Sequence, residues 1–465
     1  MAMTNRNHLK RDSFIMNTID ELVPQNHLVR KLEKGIDFSF IYEKVRPLYS
    51  SLGRPSIDPV VLFKLLLINI IFGLNSMRKT CEECKVNLAY RWYLGLDINE
   101  EIPNFSTWSQ NYIRRYKDSK IFNEIFDAVL ERAIEKGYVD PETIFGDGTH
   151  QKANANKRKG HKETVKITKK AYEDELLKEI NEDRECIGKS TYESMEKSET
   201  IYDEETGEEK KVTKTKKINV SNTDPESGCF HKGEKEKCFA YTHQTFCDKN
   251  GFVLGVKTYP GNTHDSVAFF DTYEEVNKRF EGWIKNVSLD AGYWTPAICR
   301  TIIENGQEAF MPYKAPMTKK GYFKKYEYVY DELYDFYICP NGETLYYSTT
   351  KRDGYREYKS EPEKCKDCPM RTQCTNSKNH TKVINRHLWE KYREAVDETR
   401  YTEKWKEIYP QRKETIERVF ADWKEKFSMR FTRVRGLKKN QHQALISFAC
   451  HNLKRMAIWS CKKAS

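Results

Sequence analysis

At Val139 the period of the hydrophobic pattern changes, and no other feature of the chain constrains its fold as strongly. Upstream, apolar residues recur at helical spacing. Downstream they alternate, or gather into short runs rich in Val, Phe, Tyr and Thr. A helical period does not fit a sheet, nor the reverse, so the two stretches pack as different kinds of unit. At 465 residues the chain also exceeds one ordinary domain. The expectation is an α+β multidomain protein, with an all-α domain over 1–138, a mixed α/β domain over 139–465, and no internal repeat.

The helical part marks its own starts. "SIDPVVLFKLLLINIIFGL" opens on a Ser/Asp cap with a proline in the first turn. Its apolar run, Val60 to Leu74, contains a lysine and is too short to span a bilayer, so it reads as a core helix. "SMRKTCEECKVNLAYRWYLGL" reads as a second amphipathic segment, with Cys81 and Cys84 packed in the core. "IPNFSTWSQNYIRRY" is a third, capped by Asn104 or Ser106, with Thr107, Gln110, Arg114 and Arg115 at polar positions. A short helix with an early Ser/Thr/Gln cluster and a basic end suits helix-turn-helix recognition of DNA, although any small helical bundle can carry the same pattern. The N-terminal "MAMTNRNHLKRDSF" lacks the apolar core of a signal peptide, which points to a cytoplasmic protein with no membrane partner.

Beyond Val139, "ETIFGDGT", "KCFAYTHQTFCDKN", "GFVLGVKTYPG", "KNVSLDAGY" and "QEAFMPYK" read as strands, the middle pair joined by a hairpin turn at "DKNG". Two insertions interrupt them. Residues 157–220 hold 16 Lys/Arg and 16 Asp/Glu, which predicts a solvated helical or partly disordered excursion. Residues 320–387 are rich in Tyr and carry four cysteines. From Leu388 the chain reads as helical to its end.

Two of the strands finish in the same way. "IFGDGT" places Asp147, and "SLDAGY" places Asp290, where an apolar run gives way to a small residue. A carboxylate beside buried chain is costly unless it is paired, hydrogen-bonded or holding a cation. If the two strands are sheet neighbours, the aspartates make a hard, oxygen-rich site suited to Mg²⁺. A third carboxylate, Glu417, lies in "YPQRKETIERVFADWK", and Lys424 shares its helical face two turns on. Three carboxylates among basic residues fit two-metal phosphoryl transfer.

These blocks, in this order, resemble the catalytic segments of DDE transposases of bacterial insertion sequences, and "GRPSIDPVVLFKLLL", "NLAYRWYLGL" and "PNFSTWS" resemble the N-terminal domain of the same proteins. The resemblance implies a ribonuclease H-like core with two insertions, preceded by a helix-turn-helix-like DNA-binding domain. It implies that Asp147, Asp290 and Glu417 bind two Mg²⁺ or Mn²⁺ ions, and that Lys424, Arg412 and Tyr409 contact phosphates. Four residues separate Arg412 from Glu417 where many members have three, so Lys413 is an alternative for the arginine position. The implied activity is transposition and recombination of double-stranded DNA: binding of terminal inverted repeats and target, cleavage, and strand transfer, by a homodimer in the DNA complex. A nuclease without strand transfer, or a regulator that keeps the fold, would share many of these residues. His150 and Thr149 either orient the site or satisfy local backbone, and His264 and Asp265 in "PGNTHDS" read as turn and cap residues.

Two further features bear on partners. The net charge is +11, and from Gln411 to Ser465 there are 14 Lys/Arg against 4 Asp/Glu, so the excess sits in the last eighth of the chain and favours a polyanion. Arg430, Arg433, Arg435, Lys438 and Lys439 read as loop cations that neutralise phosphate without reading bases. The 13 cysteines are odd in number and scattered, which argues against a disulfide framework. Cys365, Cys368 and Cys374 form C-x2-C-x5-C and, with Cys339 in "YICPNGET", offer four thiolates for a structural Zn²⁺ or an iron–sulfur cluster, zinc being preferred.

Overall fold

The computed structural model describes residues 16–50, 52–53, 55–74, 76–166, 172–195, 198–202, 209–213, 215–232, 236–315 and 317–462. The N-terminal stretch Met1–Phe14 and parts of the charged insertion lie outside the described residues. The chain forms two compact units. The first takes the helical region up to Val139 together with Ala421–Met429 and the chain from His442, and the second takes Asp140–Phe420 and Arg430–Gln441.

In the first unit, helix Pro59–Ile71 starts as its sequence dictates. Asp58 accepts from the amides of Val60 and Val61 at 2.7 and 3.3 Å, and Pro59 fills a first-turn position that needs no donor. The lysine in its apolar run is buried but satisfied: Lys64 pairs with Glu33 at 2.8 Å and sits 5.0 Å from the Tyr93 ring centre. The second amphipathic segment is two helices, Met77–Val86 and Leu88–Leu94. Asn87 divides them because its side-chain oxygen accepts from the amides of Ala89 and Tyr90, which caps a new helix. Cys81 and Cys84 are both buried. Phe63 packs on Trp108, Tyr116 and Phe122 with ring centres 5.4, 5.1 and 6.1 Å away. Residues from the far end of the chain finish this core. Phe122 stacks on His442 at 4.3 Å, the Tyr112 hydroxyl and His442 Nδ1 share a hydrogen bond of 3.0 Å, and buried Trp423 stacks on Phe448 at 5.1 Å and donates to Ser447 at 2.7 Å.

The second unit is built on strands β1 (Thr143–Lys152), β2 (Gly160–Lys166), β3 (Ser198–Tyr202), β4 (Glu209–Thr213), β5 (Thr215–Ser221), β6 (Gly228–Lys232), β7 (Glu236–Asp248), β8 (Val253–Pro260), β9 (Asn286–Ser288) and β10 (Glu308–Phe310). The main sheet runs β10-β9-β1-β7-β6-β5-β2, with β8 also on β7, while β3 and β4 pair apart. The central strand β1 is antiparallel to β7 and parallel to β9. Parallel neighbours need crossovers, and helices Asp265–Arg279 and Pro296–Glu304 lie on the connections into β9 and β10. Ile144, Phe145, Phe246, Val287 and Phe310 have no exposed surface. A sheet part antiparallel and part parallel, following an all-helical region, makes this an α+β multidomain protein.

The described parts of the charged insertion hold the expected helix and, beside it, strands that its composition does not predict. Strands β2 and β5 at its two ends pair with each other and extend the main sheet. Between them, helix Glu173–Cys186 buries Leu176 and Ile180, one turn apart, beside Ala297 and Trp389. Balanced charge on the outer faces coexists with that one apolar stripe, and the stripe is sufficient to fix the helix. The second insertion folds as an antiparallel sheet of β11 (Val329–Asp331), β12 (Phe336–Ile338), β13 (Thr344–Thr350), β14 (Tyr355–Ser360) and β15 (Val383–His387), in that order. The remainder is helical: Glu390–Thr399, Glu403–Ile408, Ile416–Glu425 and Leu437–Lys462. Among the described residues no helix is long and apolar enough to cross a membrane.

Candidate active site

Asp147 lies within β1 and not at its end. The strand continues to Lys152 because β7 pairs with it as far as Lys152↔Ala240. What stops short is the parallel neighbour: pairing with β9 ends at Phe145↔Ser288. Two residues beyond that pair on each strand stand Asp147 and, in the turn after β9, Asp290, close enough for the Asp290 charge to act on the Asp147 carboxyl.

Small residues make the approach possible. A Cβ on Gly146 would lie 2.4 Å from the Phe246 ring, so only glycine lets β1 pack against β7 there. A Cβ on Gly148 would stand 3.0 Å from Asp265 Oδ1, and one on Gly292 would be 3.0 Å from Asp290 Oδ1 and 3.7 Å from Asp265 Oδ2. Asp265, the first residue of its helix, therefore faces both β1 and the turn after β9. His264 caps that helix, its Nδ1 accepting from the Ser266 amide at 3.2 Å. The sequence "NTHDS" reads as a turn and hides the aspartate. The signal that could have exposed it is its place directly after β8, a strand of the same sheet.

Arg412 closes the gap between the parting strands. Its guanidinium donates to the carbonyls of Gly146 and Ser288, both at 2.9 Å, and meets Asp147 Oδ2 at 3.2 Å. Only 4% of its side chain is exposed, so in this structure it braces the two strands and neutralises Asp147. Lys413, the alternative for this position, is exposed. Asp147 Oδ1 accepts from the Gly148 amide at 2.8 Å, and Asp290 Oδ1 from the Gly292 amide at 2.7 Å.

Burial is the main influence on the Asp147 carboxyl. Arg412 and the Gly148 amide oppose it, Asp290 and Asp265 add to it, and the group is pushed up to about 7. Burial and then Asp290 also raise Asp265. Tyr293, raised by burial and by all three aspartates, donates to Gln244 Oε1 at 2.7 Å. The buried Gln244 Nε2 has no partner among the described residues. Carboxylates that raise one another are relieved by a cation, and an all-oxygen donor set fits Mg²⁺ or Mn²⁺. Among the described residues, however, no three His, Cys, Asp or Glu side chains are gathered closely enough to hold an ion as they stand.

Glu417 is exposed in the first turn of helix Ile416–Glu425, and Lys424 lies seven residues further along that helix. Tyr409 is half-buried and stacked on Trp405 at 4.7 Å. Burial raises its hydroxyl, which also feels Arg412, Asp290, Glu417 and Asp147, so Glu417 acts on the same neighbourhood as the aspartates. Of the two local candidates, Thr149 is buried with an unpartnered hydroxyl and His150 stacks on Phe230 at 3.7 Å.

The basic loop is tied to the strand that carries Asp147. Lys152 and Phe431 form a parallel bridge, the Lys152 amide donates to the Arg430 carbonyl at 3.0 Å, and Arg435 Nε donates to the Asn154 carbonyl at 3.0 Å. Arg430, Arg433, Arg435 and Lys438 are exposed, and Lys439 is half-buried. In the first unit, Asn104 caps helix Phe105–Asn111, in which Thr107 is half-buried. Arg114 and Arg115 fall in the following turn, Tyr112–Tyr116. Arg114 is exposed, while Arg115 lies 4.4 Å from the Tyr49 ring centre and bonds Asn111.

Residues 338–457 match a family model described as a transposase DDE domain, and residues 17–114 match one described as a transposase domain, DUF772. The first match contains Tyr409, Arg412, Glu417, Lys424 and the four clustered cysteines, whereas Asp147 and Asp290 lie outside both. No curated protein and no solved structure matches the chain. A transposase DDE domain is the mark of a DNA-binding, DNA-cleaving enzyme of the kind that depends on divalent metal. With transposase domains matched toward both ends, the two matches together support a DDE transposase of an insertion sequence.

Proposed function

We propose that the protein binds the terminal inverted repeats of its own insertion sequence, cleaves the DNA there, and joins the freed 3′ ends to target DNA, with Asp147, Asp290 and Glu417 as the catalytic triad. The observation that carries this reading is that the parallel pairing of β1 with β9 stops at Phe145↔Ser288, two residues short of both Asp147 and Asp290, where Arg412 meets Asp147. The triad carboxylates would hold two Mg²⁺ or Mn²⁺ ions, which when bound activate the attacking oxygen and stabilise the leaving one. The chain's own groups do the rest. Arg412 fixes the spacing of β1 and β9 and keeps Asp147 in place. Glu417 comes from the first turn of helix Ile416–Glu425 and completes the set. Tyr409 and Lys424 contact phosphates next to the scissile bond, and Arg430, Arg433 and Arg435 neutralise the backbone further along. Thr107, Arg114 and Arg115 engage the repeats, and two copies of the chain hold the two element ends.

The test is metal-dependent nicking of DNA that carries the repeats flanking the coding region. Asp147→Asn, Asp290→Asn and Glu417→Gln should each abolish nicking while leaving end binding largely in place. A variant that still cleaves at near the wild-type rate overturns the triad. Nicking without joined products would make the protein a nuclease, and binding without nicking would make it a regulator.

A further inference from the structure

The second insertion has a thin core. Tyr328, Tyr337, Leu345, Tyr358 and Ile384 are its buried cluster, and three of the five are tyrosines that carry a hydroxyl inward. So small an apolar core usually needs a second source of stability. Four free cysteines come from three places in the chain, and two of them, Cys339 and Cys374, pack against this core. Cys339 directly follows β12, Cys365 lies in helix Pro362–Lys366 with Cys368 two residues beyond its end, and Cys374 closes helix Arg371–Cys374. The fold brings all four to the wall of one cavity of about 20 Å³.

The surroundings suit thiolates. The turn after β12 folds back so that the Glu343 amide donates to Cys339 Sγ at 3.3 Å, while the Cys339 amide donates to the Glu343 carbonyl at 2.8 Å. Cys374 Sγ shares a hydrogen bond of 3.1 Å with the Tyr328 hydroxyl, and Cys365 Sγ donates to Ser360 Oγ at 3.1 Å. Lys364 and Lys382 also line the cavity, two cations beside groups that become anionic once deprotonated. In this arrangement the sulfurs face hydrogen-bond partners and are not drawn in to an ion's bonding distance. Zn–S bonds of about 2.3 Å require side-chain rotation at the existing backbone positions, with the bonds to Tyr328 and Ser360 exchanged for bonds to metal.

We infer that Cys339, Cys365, Cys368 and Cys374 bind one Zn²⁺ as four thiolates, tying the turn after β12 to the helical excursion between β14 and β15. Each thiol releases its proton to solvent as the metal binds. The cavity of about 20 Å³ has room for one water-sized body, and four thiolates with no other ligand are the donor set of a structural tetrahedral Zn²⁺. Soft sulfur ligands likewise separate this centre from the all-oxygen site at Asp147.

The test is elemental analysis of the full chain purified under reducing conditions. One zinc per chain is expected, and mercurial titration of wild-type protein should release it in step with the modification of four thiols. Cys365→Ser combined with Cys368→Ser should lose the zinc, whereas Cys186→Ser, at an exposed cysteine away from the cavity, should keep it. Replacing zinc with Co²⁺ in the wild-type chain should give the thiolate charge-transfer absorption of a tetrahedral site, a readout that does not depend on any variant folding. The inference is overturned if the reduced chain binds no zinc even when supplied with it, if the double variant keeps its zinc, or if iron and sulfide are found instead.

Discussion

A single proton on Asp147 changes the stability of the metal-free protein in a definite direction. An unperturbed aspartate ionises near pH 4, whereas burial and neighbouring carboxylates push this one up to about 7. Between those values the folded chain holds a proton that the unfolded chain has released. Stability therefore falls as pH rises through that window, by at most about 4 kcal/mol, and the slope ends above it. Thermal unfolding of metal-free protein across pH 4 to 8 should show the decline, and Asp147→Asn should flatten it. Saturating Mg²⁺ should restore stability at the upper end, since a ligand of the folded state alone stabilises it. If the wild type declines no more than Asp147→Asn over the same interval, Arg412 outweighs burial at this carboxyl. Arg412 itself shows how far one residue can be read from sequence. Its type and neighbourhood suggest a phosphate ligand, yet its atoms are spent on two backbone carbonyls and a carboxylate, an arrangement that depends on strands more than 100 residues upstream.

At the scale of elements, local chemistry was readable and partnership was not. The cap at Asp58, the hairpin between β7 and β8 and the strand β9 ending before Asp290 follow from residues within a few positions of each other. The length of β1 beyond Asp147 does not, because it is set by β7, nearly 100 residues away. The order within 157–220 was hidden for a related reason: β2 and β5 acquire their ladder only from each other and from the sheet they extend. The loop after helix Ile416–Glu425 is another element defined by its partner. Its backbone bonds the end of β1, the Arg435 side chain bonds the Asn154 carbonyl, and the side chains of Arg430, Arg433 and Arg435 are exposed. If about three of these cations meet phosphate, counterion release gives them a salt slope of roughly −3, and replacing one should reduce it by about 1 on any sequence. Binding of Arg433→Ala and Arg435→Ala to specific and random DNA across salt concentrations measures this. A slope that does not change, or a loss confined to specific DNA, would count against phosphate contact.

Over the whole molecule, the change of period at Val139 coincides with the boundary between the two units, but the apolar spacing of the last helix says only that one face is buried, not against what. The structure answers that question. Tyr112 and His442, separated by 330 residues, share a hydrogen bond, and Phe122 and Trp423 rest on rings from the same closing helix. Closing a loop of that length costs about 5 kcal/mol in chain entropy before any contact is gained. The order of synthesis follows from this. A growing chain exposes Phe63 and Phe122 early, yet residues that complete their core are made some 330 residues after Tyr112, so the first unit to emerge waits for them to mature. A nascent chain stopped after Gln441 should therefore have a labile, protease-sensitive N-terminal region even though most of its sequence is present. Limited proteolysis of that truncated chain beside the full one measures the difference, and equal resistance would mean that the early helices close without their late partner. The early helices thus owe their closure to residues translated long after them, which ties the maturity of one end of the chain to synthesis of the other.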